Sequence, residues 1–331
     1  MAPLDPCRAV RRACATVAVV ASDVVIDDDA IERWATSLDA AAVTRLTSDA
    51  RAFDGDGHHG AASTSGTWSD ETTATHALVV DAMNFCFWPD GERGETPRLE
   101  YECVSAGWRD AAERDPSVLA PETLRRMTGR RLREILNWPR ELPDEEERAR
   151  LIREVGEGLV GEASTIAFIE SAGKSAVELV RKVCDRFPAF EDYRTYRGET
   201  VFYYKRAQIF VADIWGAFGG RGVGEFHDIS ALTMFADYRV PVTLRELGVL
   251  KYSPKLLQKV VNRTLIPEGS EEEVEIRACT VEAVERMRSA FERRHGKPVM
   301  SVVLDWLLWE KGEARREISE EPHHRTLTRN Y

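Results

Sequence analysis

The sequence predicts a mainly α-helical protein. Apolar residues recur at helical spacing, strand-type alternation is scarce, and prolines and acids stand where helices would begin. Val177, Val180, Cys184 and Phe187 form one apolar stripe, and Ala30, Ile31, Trp34 and Leu38 form another. Pro143 followed by Asp144, Glu145, Glu146 and Glu147 puts a proline and then negative charge at a helix start, where the macrodipole favours acids. That run needs no functional explanation. The stretch from Met1 to Asp23 alternates Arg with Ala and Val and reads as a first helix, with a transit-peptide character over residues 7–21 as the alternative. Arg197-Gly198-Glu199-Thr200 reads as a turn between two short strands, so at most a short β-hairpin is expected.

Between these elements, residues 47–75 are rich in Gly, Ser, Thr, Asp and His and lack a period, which predicts a long loop carrying His58 and His59. Residues 89–97 read as a second loop. No Pro/Ser-rich linker divides the chain and no repeat is present, so residues 1–331 are expected to form a single domain. With 331 residues, 43% of them hydrophobic, such a chain buries roughly 70–75% of its unfolded surface.

The composition excludes several classes. A net charge of −11 opposes binding of a long polyanion such as duplex DNA, but not of a small anion held in a pocket. The six cysteines show no CxxC spacing, which suggests reduced thiols in a cytoplasmic protein and no zinc site. No apolar run reaches the ~18 residues of a membrane span. GxSxG, HExxH, the P-loop and GxGxxG are all absent, and neither a metal nor a cofactor is expected.

Four aspartates stand out because each lies inside a strongly apolar run: Asp81 in ALVVDAMNFCFW, Asp213 in IFVADIWGAF, Asp237 in LTMFADYRVPV and Asp305 in VVLDWLLW. An unpartnered carboxylate there costs several kcal/mol or shifts its pKa, so each needs a partner or a purpose. Asp237 stands just before Val240-Pro241, where a helix boundary is expected, and is therefore either a helix cap or a catalytic carboxylate. Asp305 and Glu310, five residues apart, fall about 140° apart around a helix and cannot share one narrow stripe. Aromatic residues cluster near these acids, as Phe85, Phe87 and Trp88, as Phe235 and Tyr238, and as Trp306 and Trp309. They suit a core, or flat faces that sandwich a nucleobase. Lys205 and Arg206 follow two tyrosines and precede an apolar run, which fits either a solvated first helical turn or a phosphate held at a pocket mouth.

At these motifs the chain resembles the queuosine-salvage family over nearly its full length. The resemblance is carried by NFCFW at 84–88, FYYKRAQIFVADIW at 202–215, DISALTMFADYR at 228–239, LGVLKYS at 247–253, EVEIRAC at 273–279 and LDWLLWE at 304–310. It implies a compact helical fold related in shape to helix-hairpin-helix DNA glycosylases. It also implies an N-glycosidase that frees queuine from queuosine 5′-phosphate, for use in tRNA modification. On that resemblance Asp237 is the nucleophile or transition-state stabiliser, and Phe235 lies against the base. Asp305, Trp306 and Glu310 recognise the base, with Trp306 where the family has Tyr and Glu310 where it has Asp. A family histidine upstream of NFCFW falls on His58 or His59, with His58 favoured by its distance to Asn84. The expected partner is the small nucleotide alone, bound by a monomer, without nucleic acid or membrane.

Two other classes remain open at this level. A DNA-repair glycosylase fits the implied fold, with LGVLKYS as a hairpin-like turn, against the acidic balance. A helical scaffold for a protein partner explains the helices and aromatics but leaves the acids in apolar runs without a reason.

Overall fold

The structure, a computed structural model, describes residues 3–47, 68–90, 94, 96–315 and 321–331. Among these, fifteen α-helices and four short strands make a mainly α fold, and one buried apolar cluster runs from Cys7 to Leu308.

The first helix, Pro6–Val20, begins as its sequence dictates: Pro6 stands in the first turn and Asp5 accepts the Arg8 N–H at 2.8 Å. Its buried residues Cys7, Val10, Cys14 and Val17 form one stripe, which packs on the long helix Glu271–His295. That long helix opens with Ser270 capping Glu273 N–H at 3.3 Å and three acids in its first turn, and it ends at Gly296 with φ of 64°. It is buried along most of its length, so its polar residues must find partners inside the fold. Glu275 does so by accepting the N–H groups of Ser22 (3.0 Å), Asp23 (2.6 Å) and Val24 (3.2 Å) and the Tyr196 hydroxyl (2.8 Å).

The strands form two antiparallel pairs, β1 (Val24–Ile26) with β4 (Leu250–Tyr252) and β2 (Tyr193–Tyr196) with β3 (Glu199–Phe202). The second pair is the expected hairpin. Its two-residue turn places Arg197 and Gly198 at φ of 49° and 87°, the positive values that match strand twist. The first pair exceeds the single hairpin expected: three residues per strand are too few to display a period of two, and its partners lie at distant points of the chain. The loop expected over 47–75 also needs correcting at its end. Asp70–Ala82 is helical, with Ser69 accepting the Thr72 N–H at 3.1 Å and Asp70 and Glu71 in the first turn. His58 and His59 lie outside the described residues.

Candidate functional site

One cavity is lined by residues from six places in the chain. The loop after helix Asp70–Ala82 supplies Asn84, Phe85 and Phe87, and Glu100 with helix Tyr101–Arg114 supplies a carboxylate, a phenol and Glu102. Helix Lys205–Ala217 presents Lys205, Ile209 and Asp213 at spacing i, i+4, i+8, and helix Ser301–Arg315 presents Asp305, Trp309 and Glu313 at the same spacing, with Trp306 beside them. The fifth contribution is an irregular segment carrying Phe235, Asp237, Tyr238 and Arg239, and the Tyr331 ring completes the wall.

The irregular segment explains several of the buried polar residues. Residues 232–237 are buried or nearly so yet belong to no helix or strand, so their backbone groups need side-chain partners. Gln208 Oε1 accepts the Thr233 N–H at 2.9 Å, and Asp305 Oδ1 accepts the Phe235 N–H at 2.9 Å. Arg277 Nε donates to the Ala236 carbonyl at 3.2 Å. Asp237 Oδ1 accepts from Arg239 N–H at 3.0 Å and Val240 N–H at 2.9 Å, at the start of helix Val240–Glu246. Asp237 is thus a helix-capping group and a cavity carboxylate at once. One oxygen is held by two N–H groups while the residue faces the cavity.

The electrostatics separate the carboxyls. Burial raises the Asp237 pKa above its ordinary value, opposed first by the Lys205 charge and then by the N–H groups of Val240 and Arg239. Asp305 is pushed well above the usual range, by burial first and by the Asp237 charge second. Two neighbouring carboxyls pushed apart in this way divide the roles: Asp237 carries the charge more readily, and Asp305 keeps its proton to higher pH than Asp237 does. Burial lowers Lys205 to about 8, with Asp237 the largest opposing influence, and its ammonium donates to the Asn84 carbonyl at 2.8 Å. Asp81, fully buried on the helix that packs against Lys205–Ala217, is also pushed well up by burial and by Asp213. Asp213 itself lines the cavity with the Tyr101 hydroxyl at 3.5 Å.

Of the residues singled out in the sequence, the structure brings Asp237, Phe235, Asp305, Trp306 and Lys205 into this one cavity. Trp306 stacks on Trp215, with ring centroids 5.8 Å apart and planes at 15°, which fixes the orientation of its face. Glu310 is not part of the lining. It pairs with Arg45 on helix Ala40–Thr47, and Glu313 takes the place on the Asp305 stripe, as the angle between 305 and 310 requires. Arg206 does not reach the cavity either. Its guanidinium is fully buried and donates to the Ala82 and Ala189 carbonyls, with the Phe85 and Phe190 rings 5.5 and 5.0 Å away.

Arg206 and Arg148 brace the loop that carries Asn84, Phe85 and Phe87. Arg148 donates to the carbonyls of Met83 (2.7 Å), Phe85 (2.8 Å) and Cys86 (3.0 Å). Replacing Arg206 with Met leaves two buried carbonyls unsatisfied, so it is expected to destabilise the fold by about 2–4 kcal/mol. Denaturant unfolding measures this directly; a loss below about 0.5 kcal/mol would show the bonds to be dispensable.

Sequence reasoning did not single out Arg239, Glu100, Glu102, Tyr101, Glu313 or Tyr331. Arg239 forms ion pairs with Glu313 at 2.9 Å and Glu100 at 3.8 Å, and its guanidinium lies 5.3 Å from the Tyr238 ring centre. Its place directly after Asp237-Tyr238 was the available signal. The others come from distant segments with ordinary local sequence, and nothing short of the fold brings them together. In all, Glu100, Glu102, Asp213, Asp237, Asp305 and Glu313 face two cations, Lys205 and Arg239, across the cavity.

Comparison with known proteins identifies relatives of this arrangement. Residues 65–331 match the family described as queuosine salvage protein. The chain is 45% identical over 260 residues to the queuosine 5′-phosphate N-glycosylase/hydrolase of Dictyostelium discoideum, covering 78% of each chain. It is 42% identical over 271 residues to the protein of that name from Sphaerobacter thermophilus, covering 79% of this chain and 83% of the relative. The Mus musculus protein of that name is 32% identical over 342 residues, covering 98% of both.

Proposed function

Because the chain belongs to the queuosine salvage protein family, we propose that it hydrolyses the N-glycosidic bond of queuosine 5′-phosphate, giving queuine and ribose 5-phosphate. The observation that carries this reading is Asp237, a buried carboxylate tethered through one oxygen and facing a cavity walled by aromatic rings. Breaking the bond between ribose and base builds positive charge on the sugar ring, and an ionised carboxylate beneath the anomeric carbon stabilises it directly.

The leaving base has carbon at position 7, so protonation there is not available to help it depart. Asp305, whose carboxyl burial pushes well above the usual range, is suited to donate a proton to the base as the bond breaks. Phe235 and Trp306 offer faces to the flat base, and Lys205 and Arg239 are the cations in reach of a phosphate. The acidic lining suits the ammonium of the queuine arm. It also counts against the DNA-glycosylase reading, since a polyanion meets six acids and two cations there.

The six free thiols suit the reducing cytosol, where we place the protein, and among the described residues no helix is long and apolar enough to cross a membrane. The experiment that tests the reading offers queuosine 5′-phosphate, guanosine 5′-phosphate and uracil-containing DNA in parallel. Base release from the first alone is expected; release from DNA would favour the repair reading.

The pH profile of kcat/KM should be bell-shaped. Asp237 acts ionised and its pKa is raised, so activity appears only above the ordinary carboxylate range. Lys205 acts as a cation with its pKa lowered to about 8, so activity falls as pH rises through that value. A profile that stays flat from pH ~7 to ~9.5 would show that the Lys205 charge is not used.

A further inference from the structure

The proposed chemistry leaves one buried cation of the EVEIRAC stretch unused. Arg277 is fully buried, its guanidinium between the rings of Tyr203, 3.8 Å from the ring centre, and Tyr331, 4.3 Å away. Its two terminal nitrogens donate to the two oxygens of Asp192 at 2.9 and 2.6 Å, and Glu273 lies 3.7 Å away. The remaining nitrogen, Nε, donates to the Ala236 carbonyl at 3.2 Å, in the peptide that leads into Asp237. Asp192 has a second attachment, because its Oδ2 accepts the backbone N–H of Lys205 at 3.3 Å. Its own carbonyl accepts the N–H groups of Tyr203 at 2.9 Å and Tyr204 at 3.3 Å. A single buried ion pair therefore touches both the peptide before Asp237 and the first residue of the Lys205 helix.

Stability alone does not account for this arrangement. A buried ion pair roughly breaks even against apolar residues of the same volume, because the desolvation of two charges offsets their attraction. What the pair supplies is direction. A planar guanidinium held between two rings, with its donors aimed at fixed acceptors, cannot slide or rotate without losing several bonds together. The Asp237 segment belongs to no helix or strand, so its position depends on such tethers.

We infer that Arg277 is a positioning residue for the reaction, fixing through Ala236 and Asp192 where the Asp237 carboxylate stands relative to the Lys205 ammonium. The inference rests on the reading of Asp237 as the carboxylate beneath the sugar. A lysine at 277 keeps the charge beside Asp192 but has no directed second donor for Ala236, so the segment gains freedom while the charge balance is kept.

The test measures kcat and KM separately for the full chain carrying Arg277→Lys, alongside its thermal unfolding. A second variant, Asp192→Asn with Arg277→Met, removes both charges of the pair together, while Glu273 keeps Arg194 at 3.9 Å and the Gly269 N–H at 3.1 Å. Misplacement of a reacting group by ~1 Å costs up to about a hundredfold in rate. Both variants, folded at assay temperature, are expected to lose about tenfold or more in kcat with KM within about threefold of the unsubstituted protein. A kcat within about twofold in either folded variant would overturn the inference and leave Arg277 a purely structural residue. Asp237→Asn, run in parallel, separates the two readings. If it retains full activity, the assignment of Asp237 fails and the inference with it. If it is inactive while Arg277→Lys is unimpaired, the inference alone fails.

Discussion

Asp237→Asn is expected to lower kcat by about a thousandfold, a loss of about 4 kcal/mol of transition-state stabilisation, while the fold is kept. The substitution is nearly isosteric, and the amide oxygen of Asn can still accept the N–H groups of Arg239 and Val240 that Asp237 Oδ1 accepts now. The cap is therefore retained and only the charge is lost. Burial disfavours that charge in the folded protein, so thermal stability should hold or rise slightly. KM should change little, because the carboxylate acts on charge that develops only as the bond breaks. Steady-state kinetics with thermal unfolding checks both halves. A kcat within about tenfold of the unsubstituted enzyme would remove Asp237 from the mechanism.

Lys205→Met has the second largest expected effect, and its signature is a shift in pH dependence. The Lys205 ammonium is the largest influence lowering the Asp237 pKa, with the Val240 and Arg239 N–H groups and the Arg239 charge after it, while the Asp305 charge, when present, opposes ionisation. Without the ammonium, burial of Asp237 is less opposed and its pKa rises. At any pH on the acid side less of it is then ionised, so the acid limb of kcat/KM moves to higher pH. The part of the alkaline fall near pH 8 that is assigned to Lys205 should disappear, leaving the fall set by loss of the Asp305 proton. At the optimum a loss of about a hundredfold is expected, since one buried charged group lining the cavity is removed. Unchanged limbs would mean that Lys205 serves only to hold the Asn84 carbonyl.

The legible parts of the structure were those with a local physical cause. Helices announced themselves through caps and stripes, as in Pro6–Val20, where Asp5, Pro6 and the buried Cys7, Val10, Cys14 and Val17 are all readable in order. The hairpin was readable because Arg197-Gly198 is a turn whatever surrounds it. The aspartates in apolar runs were informative for a physical reason: a buried carboxylate needs partners, and Asp305 meets the Phe235 N–H while Asp237 meets two N–H groups at a helix start. Family resemblance, not spacing, supplied the reaction.

What stayed hidden depends on long-range geometry. The β1–β4 pair joins segments at opposite parts of the chain, and nothing within three residues signals it. Arg206 looked like a phosphate ligand because a cation beside aromatics has the same local sequence whether it faces a cavity or braces a loop. Only the Ala82 and Ala189 carbonyls decide between the two. Glu310 likewise shares a motif with Asp305 but points toward Arg45, and the helical angle that warned of this could not say which acid would replace it. Arg277 carried no signal of its special place, since its partners Asp192, Ala236, Tyr203 and Tyr331 come from four separate stretches.

The most direct test of the central claim is a time course of queuosine 5′-phosphate with the purified protein, following queuine and ribose 5-phosphate together. The account predicts that both appear in equal amounts and that the Asp237→Asn protein, shown to be folded, forms neither at a comparable rate. Intact nucleotide after prolonged incubation with folded, unsubstituted protein would contradict it, and so would queuine released as fast by the Asn variant.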